Sequence, residues 1–304
     1  MGSTMIDFLK YRYFTALVSA AIIISFIGMA IYKVQNYGYA FTYSIDFTGG
    51  TQALLRFSKP VSSEELKNVL EQNGWHGATL RELSSADNKP EIIVRVKEFV
   101  NDAKGLAERI RHAVAAAFPG TEVTVLQSEG VGPGVGAELR WKAMMAVLIA
   151  LLAIAIYIAL TFWSFAFAMG AIVSLAHDAI VMLALFLFFD KDISINVIGA
   201  VLAVLGYSIN DTIVIFSSIR HNIKKMPGTG IAEIVNISIN QTLRRTLLTT
   251  FATLLTVTAM LVLGGESLYD FSLTLFVGIL FGIYSTIYIA SPVMMLLYKE
   301  KPRS

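Results

Sequence analysis

The chain has 304 residues, of which 55% are hydrophobic and 15% charged, and its mean hydropathy is +0.64. That balance excludes an ordinary soluble domain and points to a membrane protein. The absence of cysteine excludes disulfides and thiolate metal sites, and a net charge of +2 is too small to suggest nucleic acid.

A hydrocarbon core of about 30 Å takes about 20 apolar residues of helix. The first such run, 14–32, is long and has no small-residue cleavage site before Asn36, so it reads as a retained anchor and not a signal peptide. From about Val34 to Arg140 the composition becomes that of a soluble domain. There TQALLRF (51–57) alternates as a strand, and 62–74 reads as a helix with a capping box of Ser62 and Glu65 and a stop at Gly74. ATLREL (78–83) and EIIVRV (91–96) read as strands joined by the turn-like SSADNKP. A second amphipathic helix, 101–118, ends at Pro119-Gly120, and EVTVLQ (122–127) is the last strand. The order β-α-β-β-α-β predicts a ferredoxin-like α+β domain.

His76 and His112 are the only histidines of that segment and lie far apart in the pattern, so protein contact is expected of the domain and catalysis is not. The glycine-rich linker 129–136 lacks the Gly-Lys-Ser/Thr ending of a phosphate loop and reads as an elbow into the second span.

Further runs follow at 141–160, 165–188, 193–219, 246–263 and 271–298, giving six spans in all. Lys10 and Arg12, Arg220, Lys224 and Lys225, Arg244 and Arg245, then Lys299, Lys301 and Arg303 all fall on one side of such a topology. The positive-inside rule makes that side the cytoplasm. Both termini are then cytoplasmic, and the soluble segment and the connections 190–192 and 264–270 face outward. The expected fold is a polytopic α-helical membrane protein with a ferredoxin-like periplasmic domain between helices 1 and 2. Its segments are 1–33, 34–140 and 141–304.

An ionisable residue near mid-bilayer costs roughly 2.5 to 3.5 kcal/mol even on a lenient scale, so each one calls for a reason. Asp178 lies near the centre of the third span, with His177 beside it and Ser174 one turn earlier. Asp211 lies in the fourth, in GYSINDT, with Ser208 about one turn back and Asn210 and Thr212 adjacent. Such hydroxyl and amide groups can serve simply to hold helices together. A carboxylate is replaceable by Asn for that purpose, whereas a desolvated one is suited to carrying a proton. Either Arg244 or Arg245, opening the fifth span, could be its counter-ion or an ordinary cytoplasmic helix-end residue. Gly278 and Gly282 form a GxxxG in the sixth span, and Gly199 and Gly206 share a face of the fourth.

DFTGG (46–50), GPGVGAEL (132–139), AHD (176–178), GYSINDTIVIF (206–216) and SINQTLRRTLLTT (238–250) occur in that order, and together they closely resemble the SecD/SecF family, in its SecF branch. The resemblance covers nearly the whole chain and marks Asp46, Gly49, Gly50, Gly132, Pro133 and Gly136 as motif residues. It implies a bacterial inner-membrane subunit related to resistance-nodulation-division transporters. Such a subunit pairs with SecD, associates with SecYEG and uses the proton-motive force to promote preprotein translocation.

The resemblance further implies that Asp211 and Arg245, the latter rather than Arg244, form the proton pathway, with the remaining acidic partner supplied by SecD. No enzymatic activity, cofactor or metal is expected. Where many relatives carry an Asp-Arg pair after NDTIVIF, this chain has Ser217 and Ser218. Competing readings are a small-molecule exporter of the same superfamily and an intramembrane aspartyl protease built on Asp178 and Asp211, whose Gly-x-Gly-Asp signature is absent.

Overall fold

The computed structural model describes residues 5–84, 89–99 and 102–298, without the side chains of Ser84, Glu266 and Ser267. Residues 85–88 of the turn expected at 84–90 and the terminal basic residues Lys299, Lys301 and Arg303 lie outside the described residues. The chain divides into two compact units, Tyr43–Met144 on the one hand and Met1–Thr42 with Met145–Ser304 on the other.

The first of these carries a single turn α2 (Ile45–Thr48), then β1 (Gly50–Phe57), α3 (Ser63–Gln72), β2 (Thr79–Ser84), β3 (Pro90–Val96), α4 (Ala103–Ala117) and β4 (Val123–Val131). The strands form one sheet in the order β2-β3-β1-β4 with antiparallel neighbours. Alternation in β1 buries Leu55 and Phe57, which meet Leu66 and Leu70 of α3 and Leu106 and Ile110 of α4 in one apolar cluster. Asp102 caps α4 by accepting the Gly105 N–H at 2.9 Å, whereas Ser62, at the corresponding position of α3, makes no side-chain capping bond. The capping box expected there is therefore not formed. Instead the hydroxyl of the following residue, Ser63, bonds Glu82 and ties α3 to β2. Phe57→Ala empties a fully buried site and should cost about 3–5 kcal/mol. A thermal scan of the detergent-solubilised full chain, with a lowered or split transition, checks this.

The other unit holds α1 (Arg12–Tyr37, entered through a 3-10 turn), most of α5 (Pro133–Phe162), α6 (Phe165–Phe188), α7 (Ile195–Lys225), α8 (Ile231–Leu263), α9 (Gly265–Ser285), a π-helical turn (Thr286–Ala290) and α10 (Ser291–Leu297). Among the described residues, six helical stretches are long and apolar enough to cross a membrane. Half or more of the apolar window is buried in α6, in α7 and in the last span, but under a fifth in the other three. The first group forms the interior of the bundle.

Several boundaries differ from the sequence expectation. The linker is not an open elbow: β4 continues to Val131, and Pro133 already occupies the first turn of α5, where its missing N–H is harmless. The segment before Thr246 is helical as far back as Ile231, because Ile234, Val235, Ser238 and Ile239 recur on one face and are buried. Arg244 and Arg245 are thus inside α8 and do not open it. The connection expected at 264–270 shrinks to Gly264, since α9 starts at Gly265. With 31 and 33 residues, α7 and α8 extend about 46 and 50 Å, well beyond the hydrocarbon core. Asn222 Nδ2 stitches them together by donating to Ser238 Oγ and Gln241 Oε1, each at 2.8 Å.

A polar clasp closes the other end of the bundle. Buried Lys33 of α1 donates to the Leu187 carbonyl at 2.7 Å and pairs with Asp190, which adopts a left-handed backbone (φ 50°). Lys191 pairs with Asp270 of α9 at 2.6 Å, and the Thr42 carbonyl accepts the Ile193 N–H at 2.9 Å.

Candidate functional site

The glycine motifs explain themselves by close backbone approach. Gly49 and Gly50 have φ of 74° and 111°, a region that L side chains rarely adopt. A Cβ on Gly49 would stand 2.7 Å from Pro133 Cα, and one on Gly136 2.9 Å from Gly49 N. The turn bearing Asp46, whose Oδ2 accepts the Ser44 hydroxyl at 2.9 Å, is thereby seated on the start of α5. A Cβ on Gly132 would meet only side chains at ordinary distances, the edge of the Phe99 ring at 3.7 Å and a Val135 methyl at 3.9 Å.

Within the bundle, the sixth-span glycines determine which helices meet. A Cβ on Gly278 would lie 2.7 Å from Met182 Sδ and from both Val204 methyls, and one on Gly282 3.3 Å from Ser208 Cβ and Oγ. Such contacts let α9 approach α6 and α7 closely enough for hydroxyl groups to bond across them. By contrast, Gly199 and Gly206 have nothing within 4 Å of such an atom. Their shared face is left open by this chain, contrary to a packing role inside the bundle.

The close approach creates a buried polar centre. Asp178 is fully buried, and its Oδ2 accepts the hydroxyls of Ser208 at 2.7 Å and Ser285 at 2.9 Å. His177 is also buried, its Nδ1 3.5 Å from Asp178 Oδ1 and its ring against those of Phe281 and Tyr284. Thr212 donates to the Ser208 carbonyl at 3.2 Å and meets Thr286 Oγ1 at 3.0 Å. Ser174, one turn before Asp178, is buried without a hydrogen-bond partner for its hydroxyl among the described residues.

Ser285 and Thr286 were not singled out in the sequence. They stand where α9 passes into the π-helical turn. Pro292 lacks the N–H that would bond the Tyr288 carbonyl, which suits a wider turn here, and the Ser291 hydroxyl donates to the Thr286 carbonyl at 3.0 Å.

Asp211 is placed differently. It is buried on α7, yet its carboxylate has no hydrogen-bond or ion-pair partner among the described residues. Arg245 closes no ion pair with it within 4.0 Å, and both Arg244 and Arg245 are exposed. Asp211 and Arg245 thus make no direct contact among the described residues. Asn210 is exposed and takes no part in the buried centre. Tyr207, in the same motif, donates to Thr250 of α8 at 3.3 Å.

Ser218 bonds Gln241 at 3.2 Å, while Ser217 is exposed on α7. No contact joins Asp178 to Asp211 among the described residues, whereas an aspartyl dyad needs two carboxylates sharing a proton at close range. No group of residues able to hold a metal ion is found among the described residues.

Comparisons with known proteins cover nearly all of the chain. A family model described as "Protein export membrane protein SecD/SecF, C-terminal" matches residues 111–300, and another, "SecD/SecF GG Motif", matches residues 39–61. Protein translocase subunit SecF of Thermodesulfovibrio yellowstonii is 37% identical over 302 residues, 99% of this chain and 97% of that protein. Protein translocase subunit SecDF of Thermus thermophilus is 41% identical over 264 residues, which are 84% of this chain but 34% of the relative. A crystal structure of the Thermus SecDF, described as a translocon-associated membrane protein, superposes with a TM-score of 0.82 at 36% identity. The match covers 96% of this chain and 38% of that one, so the chain spans well under half of the solved protein.

Proposed function

From the premise that the chain belongs to the SecD/SecF family of protein-export membrane proteins, we propose that it is the SecF-type subunit of a Sec translocase, with Asp211 as proton carrier and Arg245 as its cationic partner. Its relatives are named as translocase subunits, a transport role, and the six apolar helices make it a multi-pass membrane protein. In this reading the chain works with a SecD partner and SecYEG on preprotein. It sits in the bacterial inner membrane with both termini cytoplasmic, and 34–140 forms a ferredoxin-like periplasmic domain between the membrane segments 1–33 and 141–304.

The observation that carries the proton assignment is Asp211 itself, a carboxylate residue buried in α7 with no hydrogen-bond or ion-pair partner among the described residues. A buried carboxylate without a donor is costly unless a partner or a proton completes it. The same helix leaves a stripe of small residues, Gly199, Ala203, Gly206, Asn210 and Ser217, exposed. Small residues allow another membrane helix to approach closely, which suits a second half from SecD. The portion of the fused Thermus relative that this chain does not match supports the same arrangement.

Arg245 offers the sharper test, because Arg244 next to it is an internal control. Arg245→Ala and Arg245→Lys should remove proton-driven stimulation of export in membrane vesicles, while Arg244→Ala retains it. Unchanged coupling in the Arg245 variants would return that residue to the role of an ordinary cytoplasmic-side charge.

A further inference from the structure

His177 and Asp178 are the ionisable residues of α6, both buried, and the proposed path through Asp211 and Arg245 does not use them. Asp178 Oδ2 takes two serine hydroxyls, from Ser208 of α7 and Ser285 of α9. Its other oxygen, Oδ1, receives no hydrogen bond, and neither nitrogen of His177 has a hydrogen-bond partner, although Nδ1 stands 3.5 Å from Oδ1. The pair thus holds three unmet polar atoms, and two of them face each other.

Among the described residues no other charged group contacts the pair. From α9 the titratable group facing this pair is Tyr284, whose hydroxyl is engaged with α1, donating to the Thr15 carbonyl at 2.7 Å and meeting Ser19 at 2.9 Å. From α7 the neutral hydroxyl of Ser208 faces the pair, and Asp211 lies three residues further along without contact. A lone carboxylate or a lone imidazolium in such a place would be expensive, whereas the two groups sharing one proton are neutral overall.

We propose that His177 and Asp178 hold a single proton between Nδ1 and Oδ1, and that they act as a positioning pair for the segment of α7 that carries Asp211. With the proton on Nδ1, the two serine bonds to Oδ2 are charge-assisted; when it crosses to Oδ1 they become neutral bonds, roughly half as strong. No proton is gained or lost in that step. The change is felt by Ser208, one turn before Asp211, and by Ser285, at the entry to the π-helical turn. The proposal rests on the reading of Asp211 as proton carrier for its consequence, but the shared proton can be tested apart from it.

The test uses the full chain with its SecD partner in lipid vesicles, labelled with ¹⁵N-histidine; the chain has four histidines, and His177→Gln identifies the signal of interest. That signal should change protonation state in Asp178→Asn and keep its wild-type form in Asp211→Asn. In proton-driven export, His177→Gln and Ser208→Ala should displace the midpoint of the pH profile by about one unit, roughly tenfold in proton affinity, and Ser208→Thr should restore it. A His177 signal indifferent to Asp178→Asn, or a pH profile unmoved in both His177→Gln and Ser208→Ala, overturns the proposal. Should Asp178→Asn fail to assemble, the His177 signal in Ser208→Ala, which retains both ionisable groups, decides in its place. If Asp211→Asn leaves coupling intact while the His177 signal still answers to Asp178, the Asp211 reading falls and the pair stands; the converse pattern rejects the pair alone.

Discussion

Asp211→Asn is expected to reduce export under an imposed proton-motive force to the level seen with that force collapsed, while co-purification with SecD stays at the wild-type level. Asparagine matches the shape of the carboxylic acid and retains an acceptor oxygen, so the packing of α7 around the buried side chain is preserved. What it lacks is the ability to alternate between a charged and a neutral form. A charge moved through the membrane potential gains about 2.3 kcal/mol per 100 mV, enough to bias a conformational change of a few kcal/mol. Without the alternation that energy has no entry point at this residue. A variant that exports normally under the same force would refute the assignment; one that loses SecD as well would show that Asp211 serves assembly.

Gly278→Leu should be the most damaging single change at the centre of the bundle. The first carbon of the new side chain would fall 2.7 Å from Met182 and Val204, inside the van der Waals distance of both, and the remaining carbons would have to enter the same space. Overpacking of this kind typically costs 1–3 kcal/mol, occasionally more. Here it would also push α9 away from α6 and α7, so that Ser285 could no longer reach Asp178. The comparison is Gly282→Ala, whose added carbon meets Ser208 at 3.3 Å and requires a shift of only a few tenths of an ångström. Thermal scans of the solubilised full chain should rank wild type, Gly282→Ala and Gly278→Leu in falling order. Equal stability of the two variants would mean that α9 does not need this approach.

The spans were legible because burial in lipid demands long apolar runs, and the order of strands and helices in 50–131 because alternation and turn residues agree along that segment. Helix ends were less so. The stretch before Thr246 is polar enough to fail a search for apolar runs, yet Ile234, Val235 and Ile239 bury one face of it and the helix continues. The proposed proton carrier stood out as a carboxylate in an apolar run, whereas its neighbours across the bundle did not. Ser285 and Thr286 carry little signal in a span whose conspicuous feature is its GxxxG. Their importance depends on α9 meeting α7 at Gly282 and Ser208, a non-local register that no periodicity encodes. The same limit applies to Arg245, whose distance from Asp211 depends on how α8 packs.

The long α7–α8 pair has a mechanical consequence. Fourteen residues of helix separate Asp211 from Lys225, about 21 Å of stiff rod, and the amide of Asn222 rivets it to its neighbour. A tilt of about 5° at the level of Asp211 disturbs the packing there very little, but swings the turn at 226–230 by about 2 Å. The pair is a lever with its short arm among the ionisable groups and its long arm in water, so events too small to rearrange the bundle are amplified where another protein could feel them.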